Sequence, residues 1–365
     1  MLDSDNAVDI GKPYKRRTNN KTSYREIVFM VNCGFATSDL DVSIIVLTYN
    51  SEKTIEKCIK SLIGQDAKDI RYEIIVLDGG SKDKTLRILD RYNVSVIVAP
   101  RTTIGWRRNK GVELSRGKFI AFIDSDCIAD RHWLETLVNA IVHTQDNVVG
   151  IGGPNLVPRD APSTIKAIMF MQRTFLGSGG TPATYEFSKV RYVYSIPNCN
   201  AIYRKSVLTF ERYDDQLNVG EDADINFRLT KKGFRLLYIP NAIVWHYQYL
   251  SVKDFLKKIF RYGVTMAKLI KKHRSIVRWY APIPTICLFV FLTLLLLECI
   301  NPSAIPLLMY LSLAYLTYAF ACTVEAYLRF RDKSILLVVV YLPLQHIMYG
   351  LGFLLGLLRT TNKLH

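Results

Sequence analysis

Two groups of acidic residues stand out by their spacing. In FIDSDC, Asp124 and Asp126 lie one residue apart at the end of the apolar run KFIAFI, and in GEDAD the carboxylates of Glu221, Asp222 and Asp224 crowd together. Carboxylate oxygens are the natural ligands of a hard divalent cation. A carboxylate beside another is harder to ionise, so its pKa rises toward the range where it can take a proton from a hydroxyl at neutral pH. Each group also has a plainer reading. Asp is common in turns, Asp124 and Asp126 could cap a helix over CIADRHWLE, and the GEDAD acids could simply face the positive end of a helix dipole.

The elements needed to position these side chains are legible nearby. From Val42, short β-branched runs (VSIIVLTYN, YEIIVLDGG, VSVIVAP) alternate with amphipathic stretches (SEKTIEKCIKSLIGQ, SKDKTLRILDRY). Buried strands alternating with helices predict an α/β domain with a mostly parallel sheet flanked by helices. Right-handed crossovers then put the loops after Leu47, Leu77 and Ile123 along one edge, where open α/β sheets bind ligands. Residues 1–40, polar and with the basic patch KPYKRR, read as an arm without a cleavable leader pattern. The α/β domain spans 41–250.

Beyond it the character changes. Over 251–278, Phe255, Ile259, Tyr262, Met266 and Leu269 recur at helical spacing among Lys257, Lys258, Arg261, Lys268, Lys271 and Lys272, the pattern of a helix lying in a membrane interface. Residues 279–358 hold three apolar runs (Trp279–Leu297, Pro302–Val324, Ser334–Leu358), each close to the ~20 residues that cross a bilayer. They predict three transmembrane helices and a tail at 359–365. The loops before the first run and between the second and third are basic, while ECINPS is not. That asymmetry predicts an integral membrane protein, in a prokaryotic plasma membrane, with its α/β domain cytosolic and its C-terminus outside. The chain carries 48 Lys+Arg against 32 Asp+Glu, a net +16. The anionic inner leaflet accounts for much of that charge, so nucleic acid loses its main support as partner. Seven cysteines without a C-x-x-C pair suggest neither a zinc knuckle nor a disulfide framework.

Four motifs in order over residues 42–237 (VSIIVLTYNS, VLDGGSKDKT, GWRRNKGVELSRGKFIAFIDSDC and GEDADINFRLTKKGFRL) resemble those of family 2 glycosyltransferases of GT-A fold. The resemblance implies a nucleotide-diphosphate sugar donor, with Thr48, Tyr49, Asn50 and Asp78 around base and ribose and Arg108 clamping the diphosphate. It implies Mn²⁺ or Mg²⁺ as cofactor, ligated by Asp126 and by His246, with Asp124 facing the ribose or a metal-bound water. Asp222 becomes the general base. One base opposite a metal-held leaving group means single displacement and inversion at the anomeric carbon. Read singly, Tyr49 could be a half-buried core residue, LDGGS a bare turn, Ser81 and Asp83 helix caps, and His246 a core residue between Trp245 and Tyr247.

Departures from the family narrow the acceptor. DSDCIAD stands where dolichyl-phosphate sugar synthases read DADLQHP, which disfavours a bare lipid phosphate, and SIVRW puts Ser275 where processive synthases carry the Gln of Q-x-x-R-W. A lipid-linked or membrane-proximal saccharide remains. The alternatives are a polyprenyl-phosphate glycosyltransferase or processive synthase and, outside enzymes, a nucleotide-sugar-binding scaffold or a transporter. A transporter would place polar or charged groups inside the spans, which are nearly charge-free. A scaffold would be expected to have lost Asp126 or Asp222.

Overall fold

In a computed structural model of the chain, residues 29–31, 40–274, 280–301 and 305–359 are described. The first half runs β1 (Phe29–Val31), β2 (Val42–Thr48), α1 (Ile55–Ile63), β3 (Tyr72–Asp78), α2 (Thr85–Leu89), β4 (Ser95–Val98), α3 (Ile104–Leu114) and β5 (Phe119–Asp124). β4, β3, β2 and β5 are parallel neighbours. Val42, Ile44 and Val46 of β2 point into a core beneath α1, while Ile45 and Leu47 point into a second core on the α3 side. Burial on both faces is why β2 reads as an unbroken apolar run. β1 adds an antiparallel edge to β4; the rest of the 1–39 arm lies outside the described residues.

The chain continues through β6 (Cys127–Ala129), α4 (Trp133–Val142), β7 (Val148–Gly152), β8 (Asn155–Leu156), α5 (Ser163–Gln172), α6 (Phe175–Ser178), β9 (Arg191–Val193), β10 (Asn200–Arg204), α7 (Lys205–Phe210), α8 (Glu221–Lys231), β11 (Arg235–Tyr238) and β12 (Val244–His246). The main sheet is ordered β1-β4-β3-β2-β5-β10-β7-β11-β9, and β6-β12-β8 form a small second sheet. β10 runs antiparallel to both β5 and β7. The sheet is therefore parallel from β4 to β5 and mixed beyond β5. The alternation that forecasts crossovers stops near residue 130, which is why the sequence pattern did not show the reversal.

The C-terminal part forms α9 (Val252–Lys272), α10 (Ile283–Glu298), α11 (Ile305–Phe330) and α12 (Val338–Leu358). The stretch from Lys333 through α12, and α11, are long and apolar enough to cross a membrane. α10, with 16 residues, extends about 24 Å, short of a ~30 Å hydrocarbon core. Pro282 and Pro284 at its first turn set where it starts. The beginning of the first expected span, Trp279, and the SIVRW string lie outside the described residues.

α9 differs from a helix whose apolar face is seated in lipid. Phe255 and Ile259 are buried among Ala319, Cys322, Val338 and Leu342 of the last two helices. Glycines let the α9 and α12 backbones touch: a Cβ on Gly263 would lie 2.2 Å from the Tyr349 carbonyl oxygen, and one on Gly352 would lie 2.1 Å from that of Phe260. Lys271 Nζ donates to the carbonyls of Gly356, Leu357 and Arg359 at the end of α12. At the start of α12, Gln345 accepts from Gln172 of α5 and donates to the Gly177 carbonyl. The first half of α12 thus rests on α5 and α6 of the α/β domain, and its C-terminal end on α9. Hydropathy reports apolar length but not the glycine face that commits this helix to α9. Replacing Gly263 by Val should destabilise the fold by about 1–3 kcal/mol through overpacking. Thermal unfolding compared with the exposed Lys257→Ala checks it.

Candidate active site

The register of three parallel strands assembles the first wall of the site. Thr48 pairs with Asp78 and Leu47 with Asp124, so the ends of β2, β3 and β5 lie side by side. Asp78 is fully buried. Its Oδ1 accepts from the amides of Gly80 and Ser81 and its Oδ2 from the Ser81 hydroxyl. Asp78 therefore braces the turn first, leaving acceptor capacity mainly on Oδ2. Tyr49 is 55% exposed, with its ring over Gly79, where a Cβ would lie 3.3 Å from the ring and 2.7 Å from Arg107 Nη1. Arg107 Nη1 donates to the Thr48 carbonyl beneath this shelf. Asn50 adopts a left-handed φ of 50°, and its side chain accepts from the Lys82 amide. Asp83 caps the start of α2 by accepting from Thr85. An open aromatic ring above a glycine is a platform on which a planar base can stack.

Beside this wall, the small sheet brings His246 to the paired aspartates. β12 runs antiparallel to β6 with His246 opposite Cys127, and the Tyr247 amide donates to the Asp126 carbonyl. His246 Nε2 lies 3.3 Å from Asp126 Oδ1, and one ligand atom from each of Asp124, Asp126 and His246 falls within 4.8 Å of the others. Burial would raise Asp126, yet the charge and hydrogen bond of His246 hold it below the ordinary carboxylate range. Burial disfavours the imidazolium, but Asp126 and Cys199 raise His246 to about 10. Burial pushes Asp124 up to about 7 against the pull of Arg108. Two carboxylates and an imidazole suit a hard divalent ion, and the nitrogen favours Mn²⁺ over Mg²⁺. Bound there, such an ion would require His246 in its neutral form.

Arg108 ties that group to the second acidic cluster. It is 3% exposed, donates from Nε to Glu221 at 3.0 Å and from Nη2 to Asp124 at 3.5 Å, and lies 5.0 Å from the centre of the Phe122 ring. Of its three nitrogens, Nη1 is buried without a partner among the described residues. Its charge is thus engaged by carboxylates, with Nη1 left as a donor. Asn109 binds the backbone of Tyr213 in both directions and holds the loop leading to α8. Asp222 sits in the first turn of α8. Burial and the neighbouring Glu221 push it up to about 7, with Arg108 pulling the other way. That value suits a group that must accept a proton near neutrality.

Other residues of the site were not legible in sequence. Asp224, read there as a helix-dipole charge, is fully buried and pairs with Arg228, Lys272 and His273. Gly220, at a φ of 80°, has room for no side chain because a Cβ would lie 2.6 Å from Thr265 Cγ2 of α9. Tyr262 is 37% exposed, yet its hydroxyl stands near Asp222, Cys199 and Asp126, and burial of that oxygen together with their charges raises its pKa. α9 is therefore a wall of the site, an arrangement its local periodicity could not reveal.

A sheet whose strand ends carry paired aspartates, with a carboxylate-bearing helix across from them, defines a nucleotide-diphospho-sugar transferase of GT-A type. Residues 43–209 match the sequence model named "Glycosyl transferase family 2", and the chain is a family 2 glycosyltransferase. It is 25% identical over 329 residues to the dolichyl N-acetyl-alpha-D-glucosaminyl phosphate 3-beta-D-2,3-diacetamido-2,3-dideoxy-beta-D-glucuronosyltransferase of Methanococcus voltae, covering 87% of this chain and 97% of that one. It is 27% identical over 238 residues to glycosyltransferase AglE of Haloferax volcanii, covering 61% and 71%. Among solved structures, the mannosyltransferase PcManGT of Pyrobaculum calidifontis, in complex with GDP-Man and Mn²⁺, aligns with a TM-score of 0.54 over 88% of each chain. At 16% identity that likeness concerns the fold alone.

The Asp224 cluster generates a stability expectation. Burial would raise its carboxyl, but Lys272 and His273 hold it below the usual range. Asp224→Ala should cost about 3 kcal/mol at neutral pH, the low end for a buried pair because Lys272 partly faces water. A lowered folded pKa contributes stability above the unfolded value of about 3.9, and this is lost as pH falls through the folded value. Urea unfolding of both proteins should therefore show a gap that closes on acidification.

Proposed function

We propose that the chain is an inverting, metal-dependent membrane glycosyltransferase. It would move a sugar from a nucleotide-diphosphate donor to a lipid-linked saccharide at the cytosolic membrane surface. The observation that carries this reading is the placement of Asp222, with a pKa near 7, on a helix joined through Arg108 to the Asp124–Asp126–His246 group. Asp222 takes the proton of the acceptor hydroxyl as its oxygen bonds the anomeric carbon. The bond from that carbon to the donor phosphate breaks on the opposite face, and the nucleoside diphosphate leaves with the electron pair. A divalent ion held by Asp126 and His246, with Asp124 beside it, supplies positive charge against the leaving diphosphate. Tyr49 and Gly79 hold the base, and Asp78 keeps their turn in shape while its Oδ2 remains able to accept from base or ribose.

The acceptor class is supported by two observations. The Methanococcus voltae relative, aligned over nearly its whole length, is named for transfer to a dolichyl-phosphate-linked sugar. α9, which borders Asp222 through Gly220 and Thr265, is backed by α10–α12, whose outer faces expose Phe289, Leu296, Met309, Leu313, Phe320 and Leu358. A lipid tether lying along that apolar surface would bring its sugar to the base.

Asp222→Asn keeps the shape but cannot take a proton, so donor binding should stay near wild type while turnover falls by about 10²–10⁴. In the wild type, kcat should fall as pH drops below about 7, because only the ionised carboxylate accepts the proton. Loss of donor binding with the pH profile unchanged would make Asp222 a ligand instead. Asp126→Ala should abolish both transfer and Mn²⁺-dependent nucleotide binding, which calorimetry with and without chelator checks. Cutting the chain after Leu250 would strip Asp224 of Lys272 and His273, so acceptor preference is compared on the intact protein. Lipid-linked saccharides should be used far more efficiently than soluble ones, and equal efficiency would remove the basis for a tethered acceptor.

A further inference from the structure

Behind the aspartates lies a second set of donor atoms that sugar transfer does not use. Cys127 is fully buried at the start of β6, and Cys199, 7% exposed, immediately precedes β10. The strand pairings that assemble the site also bring these thiols together: Cys127 lies opposite His246, and Asn200 lies opposite Ile123. Their sulfurs and a ring nitrogen of His246 fall within 4.8 Å of one another. Zn–S bonds of about 2.3 Å and Zn–N bonds of about 2.0 Å close around one ion from donors at such spacing. Asp126 Oδ1, 3.3 Å from His246 Nε2, offers a fourth ligand. Two thiolates and an imidazole favour a soft or borderline ion such as Zn²⁺, whereas the Asp124 and Asp126 oxygens favour Mg²⁺ or Mn²⁺.

We propose that Cys127, Cys199 and His246 form a second, thiophilic metal site, and that Zn²⁺ bound there inhibits the enzyme. His246 belongs to both donor sets, so an ion held by the two thiolates would compete with the hard ion for it. The binding half stands on the cysteine–histidine cluster alone. The inhibitory half rests on the reading of Asp126 and His246 as ligands of the hard ion, and the two can fail separately.

Co²⁺ is a suitable probe on the intact protein, because thiolate ligation gives it a near-ultraviolet charge-transfer band that carboxylate ligation does not. One equivalent of Co²⁺ should produce the band in the wild type, and Zn²⁺ should abolish it by displacement. Cys127→Ser and Cys199→Ser should each remove the band and weaken Zn²⁺ binding at least tenfold, while Mn²⁺-supported activity persists and needs more Zn²⁺ for inhibition. Asp126→Ala should lose Mn²⁺-dependent nucleotide binding yet keep the band, separating this site from the hard-ion site. Absence of the band in the wild type would overturn the proposal even if a serine variant failed to fold, as would unchanged Zn²⁺ affinity in both variants. Zn²⁺ bound with the thiolate signature but without inhibition would overturn the sharing of His246.

Discussion

The buried guanidinium of Arg108 is the interaction on which the site depends. It bridges Asp124, at the end of β5, and Glu221, at the start of α8. Without it, negative charge from Asp124, Asp126, Glu221 and Asp222 would converge in one poorly solvated place, and burial alone would press several of these groups to protonate. One charge, shared between a strand end and a helix start, lets the Asp124–Asp126 and Glu221–Asp222 carboxylates coexist in one poorly solvated place. It also fixes their relation in space, because a guanidinium binds through a rigid fork where an ammonium would bind as a point. Removing either carboxylate partner would leave that charge buried and under-compensated.

α9 completes what Arg108 begins. Asp224, two residues beyond Asp222, is pinned by Lys272 and His273, while Thr265 closes on Gly220 at the helix start. Lys271, next to Lys272, holds the end of α12. The base helix, the wall of the site and the apolar C-terminal layer are therefore mechanically continuous. On the proposed reading, such continuity would let one helix hold both the apolar C-terminal surface and the carboxylate of Asp222.

What could be read from sequence followed from local pattern. β2, β3 and β5 were legible because strands buried on both faces show as apolar runs, and their shared edge followed from the crossover rule. The candidate residues of that edge came from the motif resemblance, and the structure brings Asp124, Asp126 and His246 together. Contacts between distant segments were not legible. The reversal of β10, the meeting of Cys127 with Cys199 and the Asp224–Lys272–His273 cluster leave no periodic trace. α9 shows the limit well: its spacing announced an apolar face, but only the glycines of α12 reveal that protein covers Phe255 and Ile259. Arg108 was assigned to the donor diphosphate by its motif, whereas in the fold its bonds go to carboxylates.

The pH dependence of kcat in Arg108→Lys, measured beside donor affinity, tests this account most directly. Lysine keeps the charge but cannot span both carboxylates. If Arg108 is the bridge between the two clusters, the acidic limb of kcat should move to higher pH and turnover at neutrality should fall, with donor affinity changed only a few-fold. An unmoved limb with donor affinity lost at least tenfold would contradict it, and would make Arg108 a clamp on the diphosphate instead.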